Sequence, residues 1–554
     1  MANKDLDSFL KKQRRAAEER DAKRRADKLD LSYLDLLSTG TPTEIKALEI
    51  VPEEEAREAK MTPVQVVAKN LVVTAYDPEN EKTKDLIEKL KKEYKVTIAV
   101  SSMSGLKHAW EHYKFVHDEG EQITGKVNIN PERIEKLSDK INTIDNLSKL
   151  IDSFESPQTS QILEIILAGA MALGASDIHI EPNKESSDIR LRIDGILHII
   201  TKELDLKIYH SAVTRIKLLS GLKLNVKDEA QDGRFTISIS EKDIEIRTSI
   251  IPSEYGETGV LRILDPDALK ISLEDLGWRK DDLNIVNKQI AKPNGLILNT
   301  GPTGSGKTTT LYAFLKRLAK PEIKIITVED PIEYHLEGIS QTQVDKSSGY
   351  TFASGLRSIL RQDPDAILVG EIRDEETSKI ALNASLTGHM VFSTLHTNDS
   401  VGAIPRLIDL GSKPNIIGPS LSLIIAQRLV RRLCENCKKE KEVSKELEAK
   451  LKKILSELPE RVNKDDYKKF TLFDPVGCKD CNNLGYKGRT SIFELFEITE
   501  KIENLIYQNP TETDLKKAAE ENGMTTIQED GLLKIIKGIT SIEEVERVAG
   551  ELNL

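Results

Sequence analysis

Gly301-Pro302-Thr303-Gly304-Ser305-Gly306-Lys307-Thr308 fills every fixed position of the phosphate-binding loop pattern. The preceding Gly295-Leu296-Ile297-Leu298-Asn299 reads as a short buried strand, and Thr309-Thr310-Leu311-Tyr312-Ala313-Phe314-Leu315 as the opening turns of a helix. In that setting the loop N–H groups and the helix N-terminus surround phosphates, Lys307 reaches the β and γ oxygens, and the Thr308 hydroxyl takes Mg²⁺. A chance glycine-rich turn is the plain alternative, and the Lys-Thr pair between strand and helix speaks against it. The sequence predicts a nucleoside triphosphate site spanning Gly301 to Thr308, with Thr309 beside it.

Composition bounds the rest. The chain has 554 residues, enough for about three to five domains at ~100–200 residues each. With 38% hydrophobic and 31% charged residues it has the make-up of a soluble globular protein. A net charge of −11 argues against a general nucleic-acid surface. No apolar run approaches the ~20 residues of a membrane span, and the charged N-terminus lacks a secretory apolar core. A cytoplasmic protein without transmembrane segment is expected, with any membrane role peripheral.

The four cysteines sit as Cys434-x2-Cys437 and Cys478-x2-Cys481. Two such knuckles suit tetrahedral Zn²⁺, each presenting two thiolates from one turn. Redox dithiols and disulfides are the competing readings, disfavoured by a cytosolic compartment and by the absence of a thioredoxin-like Trp-Cys context. Four thiolates would fill the metal's coordination, so its role would be structural.

Along the chain, 1–58 reads as a charged tail, helical or disordered, that buries little apolar surface. A small α/β domain is expected over 59–115 from the strand-like Leu71–Tyr76 and Lys95–Val100 around an amphipathic helix Thr83–Tyr94. Residues 116–155 read as a linker. A second α/β domain over 156–275 carries a helix Ile162–Leu173 and alternating strands at Asp177–Glu181, Arg190–Ile193 and Ile244–Arg247. The nucleotide domain is placed at 276–430, the cysteine module at 431–490, and a helical segment at 491–554.

Three clusters follow the phosphate loop. Ile325–Glu333 is a buried strand ending in Glu329, Asp330 and Glu333. Asp365–Glu371 is an apolar strand ending in Glu371, the Walker B layout with Gly370 where an aspartate is usual. Thr387–His396 is an apolar strand with His389 and His396 at its ends. Parallel strands beside a phosphate loop bring such acids to the carboxyl edge of the sheet, where ligands of these folds bind.

These motifs, with Ala175-Ser176-Asp177-Ile178-His179-Ile180-Glu181-Pro182, Gln231-Asp232-Gly233-Arg234 and Gly485-Tyr486-Lys487-Gly488-Arg489, resemble the secretion ATPase superfamily. The resemblance is close over about 156–545 and looser over the Thr62–Tyr113 unit. The tetracysteine module and long N-terminal region resemble its pilus-assembly and type II secretion branches. It implies a RecA-like core preceded by a PAS-like α/β domain, joined by a linker near Leu276–Lys292 whose rigid-body hinge would be the power stroke, with ATP between the two domains. It further implies a hexamer at the inner membrane that drives a platform protein, with pilin polymerisation preferred and type II secretion the alternative. A nucleic-acid motor and a non-hydrolysing ATP-binding regulator are the remoter alternatives.

Residue by residue, the resemblance implies phosphate and Mg²⁺ binding by Lys307 and Thr308, water polarisation by Glu333, and organisation of metal-bound water and γ-phosphate by Glu371. Arg247 and Arg262 match its arginine fingers, with Arg357, Arg361, Arg373 and Arg406 as further candidates; surface ion pairing is the ordinary role of such arginines. His389 and His396 match its γ-phosphate-sensing histidines, although strand-end histidines are commonly core hydrogen-bonding residues. The N-terminal unit lacks the spaced repeat of relatives that bind a cyclic dinucleotide, so a docking role toward a membrane-bound partner is expected instead.

Overall fold

The computed structural model describes residues 2–37, 43–115, 126–127, 137, 141–153, 159–239 and 242–552. They form two compact units, Met1–Leu264 and Asp265–Leu554.

The first unit opens with a helix, Ala2–Leu29, and a four-stranded sheet in the order Ser32–Tyr33, Lys95–Val100, Asn70–Ala75, Met61–Val67. The expectation of a tail over 1–58 does not hold. Leu36, Leu48, Val51 and Ala56 are buried in one core with Leu71, Val73, Leu86 and Trp110. These few apolar residues are diluted among charges, so composition hides them, yet short helices at Ile45–Leu48 and Glu53–Glu58 turn them inward.

The rest of this unit is a seven-stranded sheet. Its order is Lys126–Val127, Gln231–Ile239, Lys242–Ser253, Gly256–Leu264, Ala175–Pro182, Ser187–Ile193, Ile196–Leu204, antiparallel throughout except for the first pair. Burial alternates strictly along Ser187–Ile193, as the sequence pattern requires of a one-sided sheet. Most of the expected linker 116–155 lies outside the described residues. Its end, however, is the helix Ile144–Asp152, which buries Leu147 and Ile151. Asp152 accepts a 3.1 Å hydrogen bond from the Thr201 hydroxyl, so this stretch belongs to the domain that follows it.

The second unit is built on a seven-stranded sheet in the order Ser340–Gln343, Ile325–Glu329, Ala366–Val369, Met390–Leu395, Gly295–Thr300, Leu421–Leu433, Tyr486–Glu497. The first six strands run parallel and the last antiparallel. Helices cover both faces, so Gly295–Thr300 is buried at every position, with an apolar run Leu296-Ile297-Leu298 ahead of the buried polar Asn299 and Thr300.

Two boundaries move. Leu276–Lys292 is not a free linker, because Lys280–Ile290 is a helix with Val286 and Ile290 fully buried against Ile297, Leu311 and Leu368. The spacing of Leu283, Val286 and Ile290 gives it one apolar face, and the chain divides instead between Leu264 and Asp265. The sheet also does not stop at 430. Tyr486–Glu497 pairs with Leu421–Leu433 from Leu423↔Glu497 to Leu433↔Tyr486, so the cysteine segment is an insertion at one end of this hairpin.

Candidate functional site

The phosphate loop leaves the carboxyl end of Gly295–Thr300 and enters the helix Lys307–Leu318. Glycine is required at two places for a nameable reason. Gly301 (φ 149°) and Gly306 (φ 90°) hold left-handed or mirror-extended backbone. A Cβ at Gly301 would meet the Gln427 carbonyl at 2.6 Å, and one at Gly306 the Gln427 amide nitrogen at 2.8 Å. Lys307 is buried and donates to the carbonyls of Gly301 (2.8 Å) and Pro302 (3.1 Å). Burial brings its ammonium down to about 8, with Glu371 opposing and Arg428 assisting that shift. The Ser305 hydroxyl is buried within the loop without a hydrogen-bond partner among the described residues. A glycine-rich loop at a helix N-terminus with an orphaned hydroxyl and a desolvated ammonium suits a polyanion.

Gln427 was not singled out by the sequence, and it braces this loop from the adjacent strand. Its Oε1 accepts from Asn299 Nδ2 (2.8 Å) and Thr310 Oγ1 (2.9 Å), and its Nε2 donates to Ser491 Oγ (3.0 Å). The residues before the loop, after it and on the last strand are thus pinned to one amide. The available signal was a lone fully buried polar residue in the run Leu423-Ile424-Ile425-Ala426-Gln427.

Glu371 follows the strand Ala366–Val369, is buried, and is held by Arg373 and by His396 Nε2 at 3.4 Å. Its charge acts on Lys307, so Lys307, Glu371, Arg373 and His396 gather at one sheet edge. Gly370 leaves no side chain there, and a Cβ would sit 3.2 Å from Phe352. Glu329 is taken up structurally: it accepts from Tyr312 (2.5 Å), Thr327 (2.6 Å) and Gln341 (3.1 Å). The Tyr312 hydroxyl also lies against the backbone of Glu333 and Tyr334, which ties the Glu333 loop to the phosphate-loop helix. Glu333 itself is half-buried.

His389 is corrected. Met390 pairs with Gly295 and Leu395 with Thr300, so the strand carries His389 to the edge opposite the phosphate loop, ~23 Å along the chain from His396 at ~3.3 Å per residue. There its Nδ1 lies 3.0 Å from the Ala384 carbonyl and its own carbonyl accepts from Gly295 N, which is a structural role within this chain. Arg357 is ion-paired with Glu376, and Arg361 donates to the Arg357 carbonyl (3.0 Å) and to Ser358 (3.2 Å). Arg406 is exposed on the helix Ala403–Asp409. Arg247 and Arg262 are cross-strand neighbours in the first unit, bonded to Glu245 and Asp177 at 3.1 Å each.

The four cysteines carry no disulfide, and their sulfurs all lie within 4.8 Å of one another. Three of the separations are 3.9, 3.7 and 3.8 Å. Four thiolates ~2.3 Å from a tetrahedral metal stand ~3.8 Å apart, so the cluster fits such an ion. Backbone N–H groups of Gly477, Cys478 and Gly485 point at these sulfurs at 3.2–3.3 Å, an arrangement that stabilises thiolate. No helix among the described residues is long and apolar enough to cross a membrane.

Residues 154–547 match the family model "Type II/IV secretion system protein", and 29–120 match "MshEN domain". The "Type IV pilus assembly ATPase PilB" of Myxococcus xanthus is 36% identical over 90% of this chain and 86% of its own length. The "Type II secretion system protein E" of Aeromonas hydrophila is 43% identical over 73% of this chain and 78% of its own. The fold is shared with the Legionella pneumophila ATPase DotB, with a TM-score of 0.52 at 21% identity over 72% of this chain and 98% of that one.

Proposed function

The chain belongs to the type II/IV secretion system protein family, and on that footing we propose that it is a motor ATPase hydrolysing ATP to power type IV pilus assembly. The observation that carries the reading is the complete phosphate loop with Lys307 and Glu371 brought to the same sheet edge. What favours pilus assembly is reach: the pilus-assembly relative matches 90% of this chain, against 73% for the secretion relative. Type II secretion is the second reading, supported by the higher 43% identity over that shorter span.

Phosphoryl transfer to water needs positioning and neutralisation of charge more than covalent chemistry. The loop N–H groups and Lys307 hold the phosphates, and Thr308 with Glu371 would hold Mg²⁺. That ion supplies charge neutralisation at the γ-phosphate. Glu333 orients the attacking water and Glu371 the waters around the terminal phosphate. Arg373 and His396, which clasp Glu371, link its position to the nucleotide state. Arg247 and Arg262 are the candidates for arginine fingers, with Arg357, Arg361 and Arg406 in reserve at a subunit interface. We assign Zn²⁺ to the four cysteines, homo-hexameric assembly to the working form, and a cytoplasmic location at the inner membrane against a platform protein.

The test is a strain lacking this protein. Loss of surface pili with protein export intact supports the first reading, and the reverse outcome supports the second. Purified protein with Mg²⁺-ATP that shows no turnover as an oligomer overturns both.

A further inference from the structure

Arg428 follows the bracing glutamine on the strand Leu421–Leu433 and has no part in the scheme above. Its guanidinium reaches the phosphate loop. Nη1 stands 3.1 Å from where a Cβ on Gly301 would lie, and Lys307 Nζ sits 2.8 Å from the Gly301 carbonyl. The two cations therefore converge on the first glycine of the loop, and the charge of Arg428 is felt at Lys307.

What holds Arg428 there is telling. Nη1 donates to the Gln427 carbonyl at 3.1 Å and Nη2 to the Asn398 carbonyl. Both partners are neutral, and among the described residues no carboxylate stands at ion-pair distance. Glu494 and Asp399 act on it only from further away, and Glu494 already accepts from Ser400 N (2.8 Å), Ser400 Oγ (2.6 Å) and Ile527 N (3.3 Å). A half-buried guanidinium without a counter-ion is held at a cost that an arriving anion removes. Burial accordingly lowers its affinity for its proton.

We propose that Arg428 is a second phosphate-binding cation of the nucleotide site, supplied by the same chain and parked on the Asn398 carbonyl until the triphosphate arrives. The proposal rests on the nucleotide reading above and deepens it. Asn398 belongs to the loop after His396, and that loop is fastened to the strand before the phosphate loop by Thr300 Oγ1, which accepts from Thr397 N at 2.9 Å. When Arg428 turns to phosphate it gives up the Asn398 carbonyl, so loading of the site slackens one of the ties on this loop. The loop's far end is anchored through Ser400 to Glu494 on the last strand.

The experiment compares Arg428→Gln and Arg428→Lys in the metal-loaded full chain, reading equilibrium binding of a non-hydrolysable ATP analogue and the thermal midpoint. Glutamine removes the charge and lysine keeps it, while neither reproduces the guanidinium's bond to the Asn398 carbonyl, so a purely structural clamp is lost in both variants and a phosphate ligand only in glutamine. The expected result is binding about tenfold or more weaker for Arg428→Gln, within about threefold of the parent for Arg428→Lys, and the same thermal midpoint in both variants. Parent-like affinity in Arg428→Gln, or an equal loss of affinity in both variants, overturns the proposal. A parent protein that binds no analogue overturns the nucleotide reading instead. A structure of the unmutated chain with the analogue decides the matter even if a variant fails to fold: guanidinium within hydrogen-bond distance of a phosphate supports the proposal, and guanidinium still on Asn398 refutes it.

Discussion

Raising the pH should weaken nucleotide binding through Lys307 alone, by an amount that follows from its surroundings. Burial holds its ammonium at about 8 in the nucleotide-free chain, despite the nearby Glu371 carboxylate. A bound triphosphate adds several negative charges beside it and returns the group to fully charged behaviour. Binding therefore favours the protonated lysine. Affinity is level below the free-state value and falls as pH rises through it, the direction expected when the ligand-free pKa is the lower one. The protonated fraction drops from about nine-tenths at pH 7 to about one-tenth at pH 9, which is roughly tenfold in Kd or ~1.4 kcal/mol. At pH 8 each binding event should take up about half a proton. Titration calorimetry of a non-hydrolysable analogue in two buffers of different ionisation enthalpy measures both quantities. Phosphate monoester groups finish ionising near pH 6, so the fall above pH 8 belongs to the protein. A flat Kd from pH 7 to 9.5 with no proton uptake would refute the assignment, and Lys307→Met should flatten whatever dependence remains.

Three other outcomes can be checked separately. Glu371→Gln should retain ATP while lowering single-turnover hydrolysis ~10²-fold or more, and a parent-like rate would remove Glu371 from the chemistry. Cys434→Ser should empty the thiolate cluster and loosen the hairpin insertion, because apparent zinc-binding energies in small folded peptides are ~10–16 kcal/mol; elemental analysis showing undiminished metal would reject the site. Arg279→Met should cost ~1.5–3 kcal/mol in urea unfolding, because it takes one charged hydrogen-bond partner each from Asp282 (2.8 Å) and Asp530 (2.7 Å), both fully buried, which keep only Arg461 and Lys534.

The sequence revealed the parts of the site that are contiguous along the chain. The phosphate loop, the two C-x2-C knuckles and the strand ending at Glu371 could be read because each is a local pattern whose chemistry needs neighbouring residues. The tail over 1–58 went the other way: Leu36, Leu48 and Val51 are too few to shift the composition, yet one buried side chain per turn is enough to close a core. The linker over 276–292 failed similarly. The resemblance implied a hinge there, whereas Leu283, Val286 and Ile290 form an apolar stripe that the neighbouring sheet covers.

Strand direction and strand order account for what could not be read at all. His389 and His396 look like a pair because they bracket one apolar run, but a strand crosses the sheet, and residues at its two ends are delivered to opposite edges. Only His396 arrives where Glu371 is. Gln427 and Arg428 present the converse case. They lie more than a hundred residues from the phosphate loop along the chain and look like ordinary members of Leu421–Leu433. What makes them part of the site is that this strand lies parallel beside Gly295–Thr300, with Ile425 across from Asn299 and Ala426 across from Thr300. The two residues after that pairing necessarily fall beneath the first turn of the loop. The same strand ends at Leu433, one residue before Cys434, and its antiparallel partner carries Ser491, which the glutamine amide touches. The hairpin that sets the spacing of the thiolates is therefore the hairpin that braces the loop. A change in its register by one residue would turn Gln427 to the other face of the sheet and leave Asn299 and Thr310 without their shared acceptor.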